Sequence, residues 1–197
     1  MNWKLINVTQ ETNHPYLNFF TLHYEVNGKK YDYFMASRHN KEEIYALHRP
    51  EKPDGVMMAC YHIDEKQNVS ILVTTQFRPA LNRHVTSFPA GLVEPNDDIF
   101  TCAKREAIEE GGVIIDNLEL LCPASPTSSG LSDEINSVVL GQIVGFKDNK
   151  LEEFEDISVK LIPLKEILKM LNDPQYFFAL NVRLLIKYLA LRFKNEK

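Results

Sequence analysis

The sequence predicts an α/β protein, and three features of its patterning support that fold class. Most of the first 75 residues consist of aromatic and β-branched runs separated by turn residues, which is typical of strands. A helical segment with capping residues follows in the middle of the chain, and the last third has apolar residues at helical spacing. The length of 197 residues suits about one domain with a small extension.

A hairpin is predicted near the N-terminus. The run 19–26 and the run 31–36 flank Asn27-Gly28, the dipeptide that favours a type I′ turn between two strands. A hairpin of this size is marginal in water, so its apolar side must pack against something else.

The chain is predicted to divide near residue 50. The segment 48–55 is polar and contains Pro50 and Pro53, as linkers often do. We therefore expect an N-terminal β extension at 1–50 and a main domain at 51–197, whose last third is helical.

The remaining elements are predicted from the same two patterns, strand-like apolar runs and apolar residues at helical spacing. Strands are predicted at 56–63, 69–75, 113–115, 118–121 and 136–144. Helices are predicted at 98–110, 163–171 and 174–192. A loop rich in Ser, Pro, Thr and Gly at 123–134 is long enough to be functional.

Composition excludes several classes of protein. With 44% hydrophobic and 25% charged residues, the chain is an ordinary globular one, and its net charge of −5 argues against a nucleic-acid binder. It lacks an apolar run of transmembrane length, and its first residues do not resemble a signal peptide. Its three cysteines, which form no CxxC pair, indicate the reducing cytoplasm.

The helix predicted at 98–110 carries three glutamates on one side. Glu106 and Glu110 are four residues apart, and Glu109 shares their side, which continues the apolar stripe expected to face the core. A solvated acidic face is the ordinary alternative, but like charges at this spacing destabilise a helix. Burial increases that cost unless a cation neutralises the charges, and Mg²⁺ prefers carboxylate oxygens. Arg105 can also pair with Glu109 and hold it in place.

Residues 91–113 resemble the Nudix box. The family pattern is Gly, five residues, Glu, seven residues, Arg-Glu, an aliphatic residue, any residue, Glu-Glu, any residue, Gly and an aliphatic residue. This chain matches every fixed position except that Asp97 stands where the family has Glu. The segments 76–79, 88–91 and 125–134 resemble those of ADP-ribose pyrophosphatases, so the chain is similar to that subfamily.

The resemblance implies a Nudix-type α/β/α sandwich with a mixed sheet, plus a small N-terminal antiparallel β extension. It implies metal-dependent hydrolysis of the pyrophosphate bond of ADP-ribose or a related nucleoside diphosphate sugar, giving a nucleoside monophosphate and a sugar phosphate. Two alternatives stay open. One is hydrolysis of a dinucleoside polyphosphate, coenzyme A or a nucleoside triphosphate, and the other is a non-catalytic nucleotide-sensing module.

The resemblance also implies roles for individual residues. The metal ligands would be the Ala90 carbonyl, Glu106, Glu109 and Glu110, with Mg²⁺ as the cofactor and Mn²⁺ as the alternative. The catalytic residues would be Glu109, Glu134 and Arg105, with Asp133 as the second choice to Glu134. The substrate contacts would be Arg78, Tyr33, Arg38 and Gly91.

Blander interpretations of three of these residues remain. Glu134 can be a solvated loop residue, Arg78 can pair with an acid at a strand end, and Tyr33 can be a core aromatic of the hairpin. In ADP-ribose pyrophosphatases a comparable extension crosses to the other subunit. By that resemblance we expect a homodimer in which Tyr33 and Arg38 contact the nucleotide sugar, with neither nucleic acid nor a membrane as a partner.

Overall fold

The computed structural model describes residues 1–151 and 156–195. These residues divide into two compact units. Unit 1 contains Met1–Asp54 and Ala124–Asn136, and unit 2 contains Gly55–Pro123 and the described residues from Ser137 onward. The main domain predicted at 51–197 also includes 152–155, 196 and 197, which lie outside the described residues.

Unit 1 is built on a three-stranded antiparallel sheet in the order β1-β2-β3. Its strands are β1 (Trp3–Gln10), β2 (Asn18–Val26) and β3 (Lys29–Ser37). The predicted hairpin is confirmed, because Asn27 and Gly28 have φ angles of 50° and 79°, as a type I′ turn requires. Strand β1 was not predicted, since the irregularity in its pairing between Leu5 and Asn7 breaks the two-residue alternation.

The apolar side of the hairpin packs inside unit 1. Phe20 and Leu22 are buried in a cluster with Val8 of β1 and Ile44. The predicted need of the hairpin for a packing partner is therefore met by the unit's own residues. Phe34 lies on the opposite face of the sheet, where it is 57% exposed and stacks on Phe19.

Unit 2 is built on a larger sheet in the order β10-β5-β4-β9-β8, to which β6 adds by pairing with β5, and β7 by pairing with β4. Its strands are β4 (Gly55–Ile63), β5 (Val69–Arg78), β6 (Arg83–Ser87), β7 (Ala90–Leu92), β8 (Val113–Pro126), β9 (Ile135–Phe146) and β10 (Ile157–Pro163). Its helices are α1 (Ile99–Glu109), α2 (Leu164–Met170) and α3 (Leu180–Asn195). The end of β8 and the start of β9 belong to unit 1.

Helices cover both faces of the larger sheet. Along β4, Met57 and Ala59 join an apolar cluster with buried residues of α2 and α3. The alternate residues, Val56 and Met58 among them, join a second cluster with Cys102 of α1. Because successive side chains of a strand point to opposite faces, this is a three-layer α/β/α arrangement, and the predicted fold class is confirmed.

Two predicted boundaries are wrong. The predicted loop 123–134 is shorter, because β8 continues to Pro126. The predicted helix 174–192 begins only at Leu180, because the backbone before it bonds to β6 instead: Thr86 donates to the Phe177 carbonyl, and the Ala179 N–H donates to the Thr86 carbonyl. Strands β6, β7 and β10 were not predicted.

Helix α1 begins and ends as its sequence predicts. The Asp98 carboxylate caps the helix by accepting from the N–H groups of Phe100 and Thr101, both at 2.8 Å. Gly112, with a φ of 62°, takes the left-handed conformation that commonly follows a helix. In the part of the chain that the structure describes, no helix is both long and apolar enough to cross a membrane.

Candidate functional site

Glu106 is a buried acid in the middle of α1. Its residue surface is only 9% exposed, as the apolar stripe of the helix predicts. Gly91 of β7 leaves room for it, because a Cβ at Gly91 would lie 1.9 Å from the Glu106 carboxyl carbon. The absence of a side chain at Gly91 therefore allows the carboxylate to lie directly against strand β7.

Arg105 neutralises this acidic side of α1. Its Nη1 donates to Oε1 of Glu106 at 2.6 Å and to Oε2 of Glu109 at 3.0 Å. Its Nε donates to Oδ2 of Asp97 at 3.3 Å, and its Nη2 to the Leu92 carbonyl at 3.1 Å. One guanidinium thus connects three carboxylates with the backbone of β7.

The charge of Arg105 is strongly favoured. Partial burial acts to lower the pKa of its guanidinium, but hydrogen bonds and attraction from Glu106 and Glu109 outweigh that effect. The net result is a pKa above its ordinary value. Arg105 is therefore a cation at physiological pH.

Glu110 connects the end of α1 to the same strand. Its Oε2 accepts a hydrogen bond from the Ala90 N–H at 2.9 Å. The neighbouring Ala90 and Gly91 pair with Met57 and Val56 of β4, so this contact fixes α1 against the sheet. The structure thus brings together Glu106, Glu109, Glu110, Arg105, Ala90 and Gly91.

The chemistry of these donors fits a hard divalent cation, which binds carboxylate and carbonyl oxygens. Because Glu106 lies against Gly91, the backbone of strand β7 is next to the carboxylates of α1. In this structure, an oxygen of Glu106 and one of Glu109 accept from Arg105, and an oxygen of Glu110 accepts from the Ala90 N–H. Among the described residues, no three His, Cys, Asp or Glu side chains are yet placed to hold one ion together.

The two buried cysteines of unit 2 add no reactive thiol to this site. Burial raises the pKa of Cys60 to about 12 and that of Cys102 to about 11. The Cys102 thiol also donates to the Leu92 carbonyl at 3.3 Å. Both groups are therefore neutral at physiological pH, and a neutral thiol is a poor nucleophile.

Arg78 ends β5 and is exposed. It lies directly opposite Arg83 of β6, whose guanidinium covers the ring of Phe177 at 3.9 Å. Among the described residues, Arg78 forms no salt bridge with an acid. Two neighbouring guanidinium groups are suited to an anion such as a phosphate.

Glu134 lies in unit 1 and is bound by its neighbours there. Its backbone carbonyl accepts from the Thr127 N–H at 3.0 Å, and its Oε2 accepts from the Thr127 hydroxyl at 2.8 Å. The Nε of Arg38 is 3.6 Å from its Oε1. Asp133 points elsewhere and accepts from the Tyr45 N–H at 3.0 Å, which is a structural contact.

Tyr33 of β3 also belongs to unit 1, and its hydroxyl donates to the Gly130 carbonyl at 2.9 Å. Its ring lines a pocket of about 510 Å³, which is also lined by the aromatic rings of Trp3, Tyr24 and Tyr31. Tyr33 is only partly buried against the unit 1 core. Tyr33 therefore both packs on the core of unit 1 and lines this pocket.

Sequence reasoning missed two residues that contact the region of Glu134. His39 and Asp54 lie 2.7 Å apart, and Asp54 also accepts from the Ile135 N–H. No local motif identifies them, because their contacts join segments far apart in the chain. The sequence offers both Asp97 and Asp98 as caps of α1. The structure has Asp98 as the cap, and the Asp97 carboxylate accepts from Arg105 instead.

Comparison with known proteins identifies a family for this chain. The family profile described as "NUDIX domain" matches residues 51–180. An "ADP-ribose pyrophosphatase" of Bacillus subtilis is 32% identical over 124 residues, which cover 62% of this chain and 66% of that protein. A "GDP-mannose pyrophosphatase" of Shigella flexneri is 27% identical over 189 residues, covering 88% and 90%.

A solved structure shares the fold. The "Crystal structure of ADP compounds hydrolase" superposes with a TM-score of 0.74 at 16% identity, covering all of this chain and 96% of that one. At this identity the likeness shows the fold alone. The match to the Bacillus subtilis protein spans just under two thirds of that protein's length.

Gly91→Ala tests whether the position of the Glu106 carboxylate matters for activity when the fold stays stable. The new methyl group would overlap the end of a flexible side chain, so the carboxylate can swing away while α1 stays in place. We expect kcat to fall about 100-fold with little change in melting temperature, since small misplacements in an active site have effects of this size. Unchanged kcat in Gly91→Ala would show that the Glu106 position is unimportant.

Proposed function

The chain belongs to the Nudix family, and from this premise we propose that it hydrolyses the pyrophosphate bond of ADP-ribose or a related nucleoside diphosphate sugar with a divalent metal ion. The observation that carries this proposal is the buried Glu106, held against Gly91 and paired with Arg105. The names of the pyrophosphatase relatives support the substrate class. Mg²⁺ is the proposed ion, with Mn²⁺ as the alternative.

The proposed ligands are carboxylates of α1 and one backbone group. Glu106, Glu109 and Glu110, together with the Ala90 carbonyl, would hold the ion. When bound, a divalent cation offsets the negative charge of the pyrophosphate oxygens. Arg105 fixes the rotamers of Glu106 and Glu109, so these carboxylates are ordered before substrate arrives.

Arg78 and Glu134 have separate proposed roles. Arg78 binds a phosphate oxygen of the substrate through its exposed guanidinium. Glu134 orients the attacking water and takes one of its protons. The water oxygen bonds to one phosphorus, and the bridging P–O bond breaks. From ADP-ribose, the products are AMP and ribose 5-phosphate.

We propose that unit 1 supplies contacts to the nucleoside. The aromatic walls around Tyr33 suit a flat base, which gains about 1 kcal/mol from each good aromatic contact. Arg38 would meet a phosphate or ribose oxygen. We place the reaction in the cytoplasm, which suits three cysteines that form no disulfide.

Glu106→Gln and Glu110→Gln should each lower kcat on the order of 100- to 1000-fold, because a charged oxygen ligand is lost while the side-chain shape is kept. Glu109→Gln should lower kcat by a large factor with a smaller effect on metal binding. Steady-state assays with ADP-ribose and Mg²⁺ measure these changes. The control is Glu119→Gln, which removes an exposed carboxylate that pairs with Arg192. Near wild-type activity in Glu106→Gln would contradict the proposal that Glu106 binds the metal ion.

Glu134→Gln should lower kcat about 100-fold with little change in KM, because proton transfer contributes in the transition state. Asp133→Asn should have the smaller effect on kcat, since the Asp133 carboxylate binds the Tyr45 backbone. Rate measurements on both variants over a range of substrate concentrations decide this. A larger loss of kcat in Asp133→Asn would mean that the wrong acid has been named.

Tyr33→Ala should raise KM roughly fivefold, which corresponds to about 1 kcal/mol of lost aromatic contact. Metal affinity should stay unchanged. The matched control is Phe34→Ala, the next residue in β3, whose ring stacks on Phe19 on the opposite face of the sheet. Equal effects of the two substitutions on KM would contradict a base contact at Tyr33.

We propose a homodimer in which unit 1 helps to bind the substrate of the partner protomer. A two-fold assembly uses the same surface on both protomers, so each would complete the other. Light scattering at micromolar concentration should therefore give twice the mass of one chain. A fully active protein with the mass of one chain would exclude the shared arrangement and leave the hydrolase proposal intact.

A further inference from the structure

Asp54 connects two separate segments of unit 1 through hydrogen bonds to both of its carboxylate oxygens. Its Oδ1 lies 2.7 Å from Nε2 of His39, and its Oδ2 accepts from the Ile135 N–H at 2.8 Å. Its own N–H donates to the Ile135 carbonyl at 2.8 Å. The side chain is only 10% exposed, so these partners replace water almost completely.

The partners of Asp54 are the chain neighbours of two charged residues. Arg38 precedes His39, and Glu134 precedes Ile135. The Arg38 Nε lies 3.6 Å from the Glu134 carboxylate. Because consecutive Cα atoms are about 3.8 Å apart, fixing His39 and Ile135 also limits where Arg38 and Glu134 can lie.

We infer that Asp54 is a positioning residue for Glu134. It holds the His39 segment and the Ile135 segment at a fixed separation, and this keeps the Glu134 carboxylate next to Arg38 and Thr127. The inference rests on the proposed role of Glu134 in activating water. A proton acceptor must be held within about 0.5 Å of its working position, and a loop residue needs such supporting contacts.

Few other side chains near Asp54 could hold the His39 and Ile135 segments together. A small cavity of about 220 Å³ beside it is lined by five charged or titratable side chains, namely Arg38, His39, Asp54, Asp133 and Glu134. Asp133 is occupied with the Tyr45 N–H, and Arg38 contacts Glu134 itself. Of these side chains, Asp54 is the one that is hydrogen-bonded to both His39 and Ile135. The Ala36 N–H, which donates to the Leu131 carbonyl, joins the same two stretches a few residues earlier.

The experiment compares Asp54→Ala with Asp54→Asn in steady-state kinetics. Asp54→Ala removes both contacts, and we expect kcat to fall about 10- to 100-fold with KM changed less than about threefold. Asp54→Asn should restore most of kcat, because its amide oxygen can accept from the Ile135 N–H while its NH₂ group donates to the His39 ring. Equal loss of kcat in the two variants would overturn the inference.

Asp64→Ala is the matched control for lost hydrogen bonds. The Asp64 carboxylate binds the backbone N–H groups of Lys66 and Asn68 in a turn of unit 2. This substitution removes an aspartate with comparable contacts and should leave kcat unchanged. If Asp64→Ala lowers kcat as much as Asp54→Ala does, general destabilisation explains both losses and the inference fails.

The double variant Asp54→Ala/Glu134→Gln tests whether Asp54 acts through Glu134. If it does, Asp54→Ala lowers kcat in the wild-type chain but adds almost nothing in the Glu134→Gln background. Independent, multiplying losses would overturn the inference and leave the proposed base intact. If Glu134→Gln alone leaves kcat unchanged, the assignment of Glu134 as the base fails, and the inference fails with it.

His39→Ala covers the case in which Asp54→Ala does not fold. This variant keeps the bond from the Ile135 N–H to Asp54 and removes only the side-chain contact to the other segment. We expect a loss of kcat between wild type and Asp54→Ala, again absent in the Glu134→Gln background. Wild-type kcat in a folded His39→Ala variant would overturn the inference.

Discussion

The attraction between one arginine and the acids of one helix is the constraint on which this site depends. Glu106 is almost entirely removed from water, and a carboxylate in that position is costly unless a cation faces it. Arg105, adjacent in the chain, supplies that cation at 2.6 Å and binds Glu109 as well.

Several features of the fold follow from this requirement. Gly91 must lack a side chain so that Glu106 can reach strand β7. Asp97, the Leu92 carbonyl and the Cys102 sulfur accept from the remaining donors of Arg105 and fix its direction. The shorter arm of Asp97, compared with the glutamate of the family pattern, still reaches the guanidinium. The cation and the acids are thus ordered by the sheet-to-helix connection that precedes α1.

The parts of the structure that local sequence determines could be predicted. The Asp98 cap, the Asn27-Gly28 turn and the buried side of α1 depend on residues close in the chain. Strand β1 could not be predicted because its irregular pairing breaks the alternation. The segment before α3 follows long-range bonds to Thr86 rather than its own helical pattern.

The site divides in the same way. The cluster around Glu106 follows from one helix and one family pattern, so the sequence predicts its members well. The contacts of Asp54 depend on residues 15 and 81 positions away, and spacing along the chain carries no signal for them. The partners of Glu134 likewise come from separate segments, so its environment required the structure.

The most direct test of the account is product analysis after incubation with ADP-ribose and Mg²⁺. Cleavage of the pyrophosphate must give AMP and ribose 5-phosphate in equal amounts, which chromatography separates and quantifies. We expect both products to be absent with a chelator and to return when excess Mg²⁺ or Mn²⁺ is added. If neither ADP-ribose nor another nucleoside diphosphate sugar such as GDP-mannose is cleaved with either ion, or if ADP-ribose gives ADP instead of AMP, the account is contradicted.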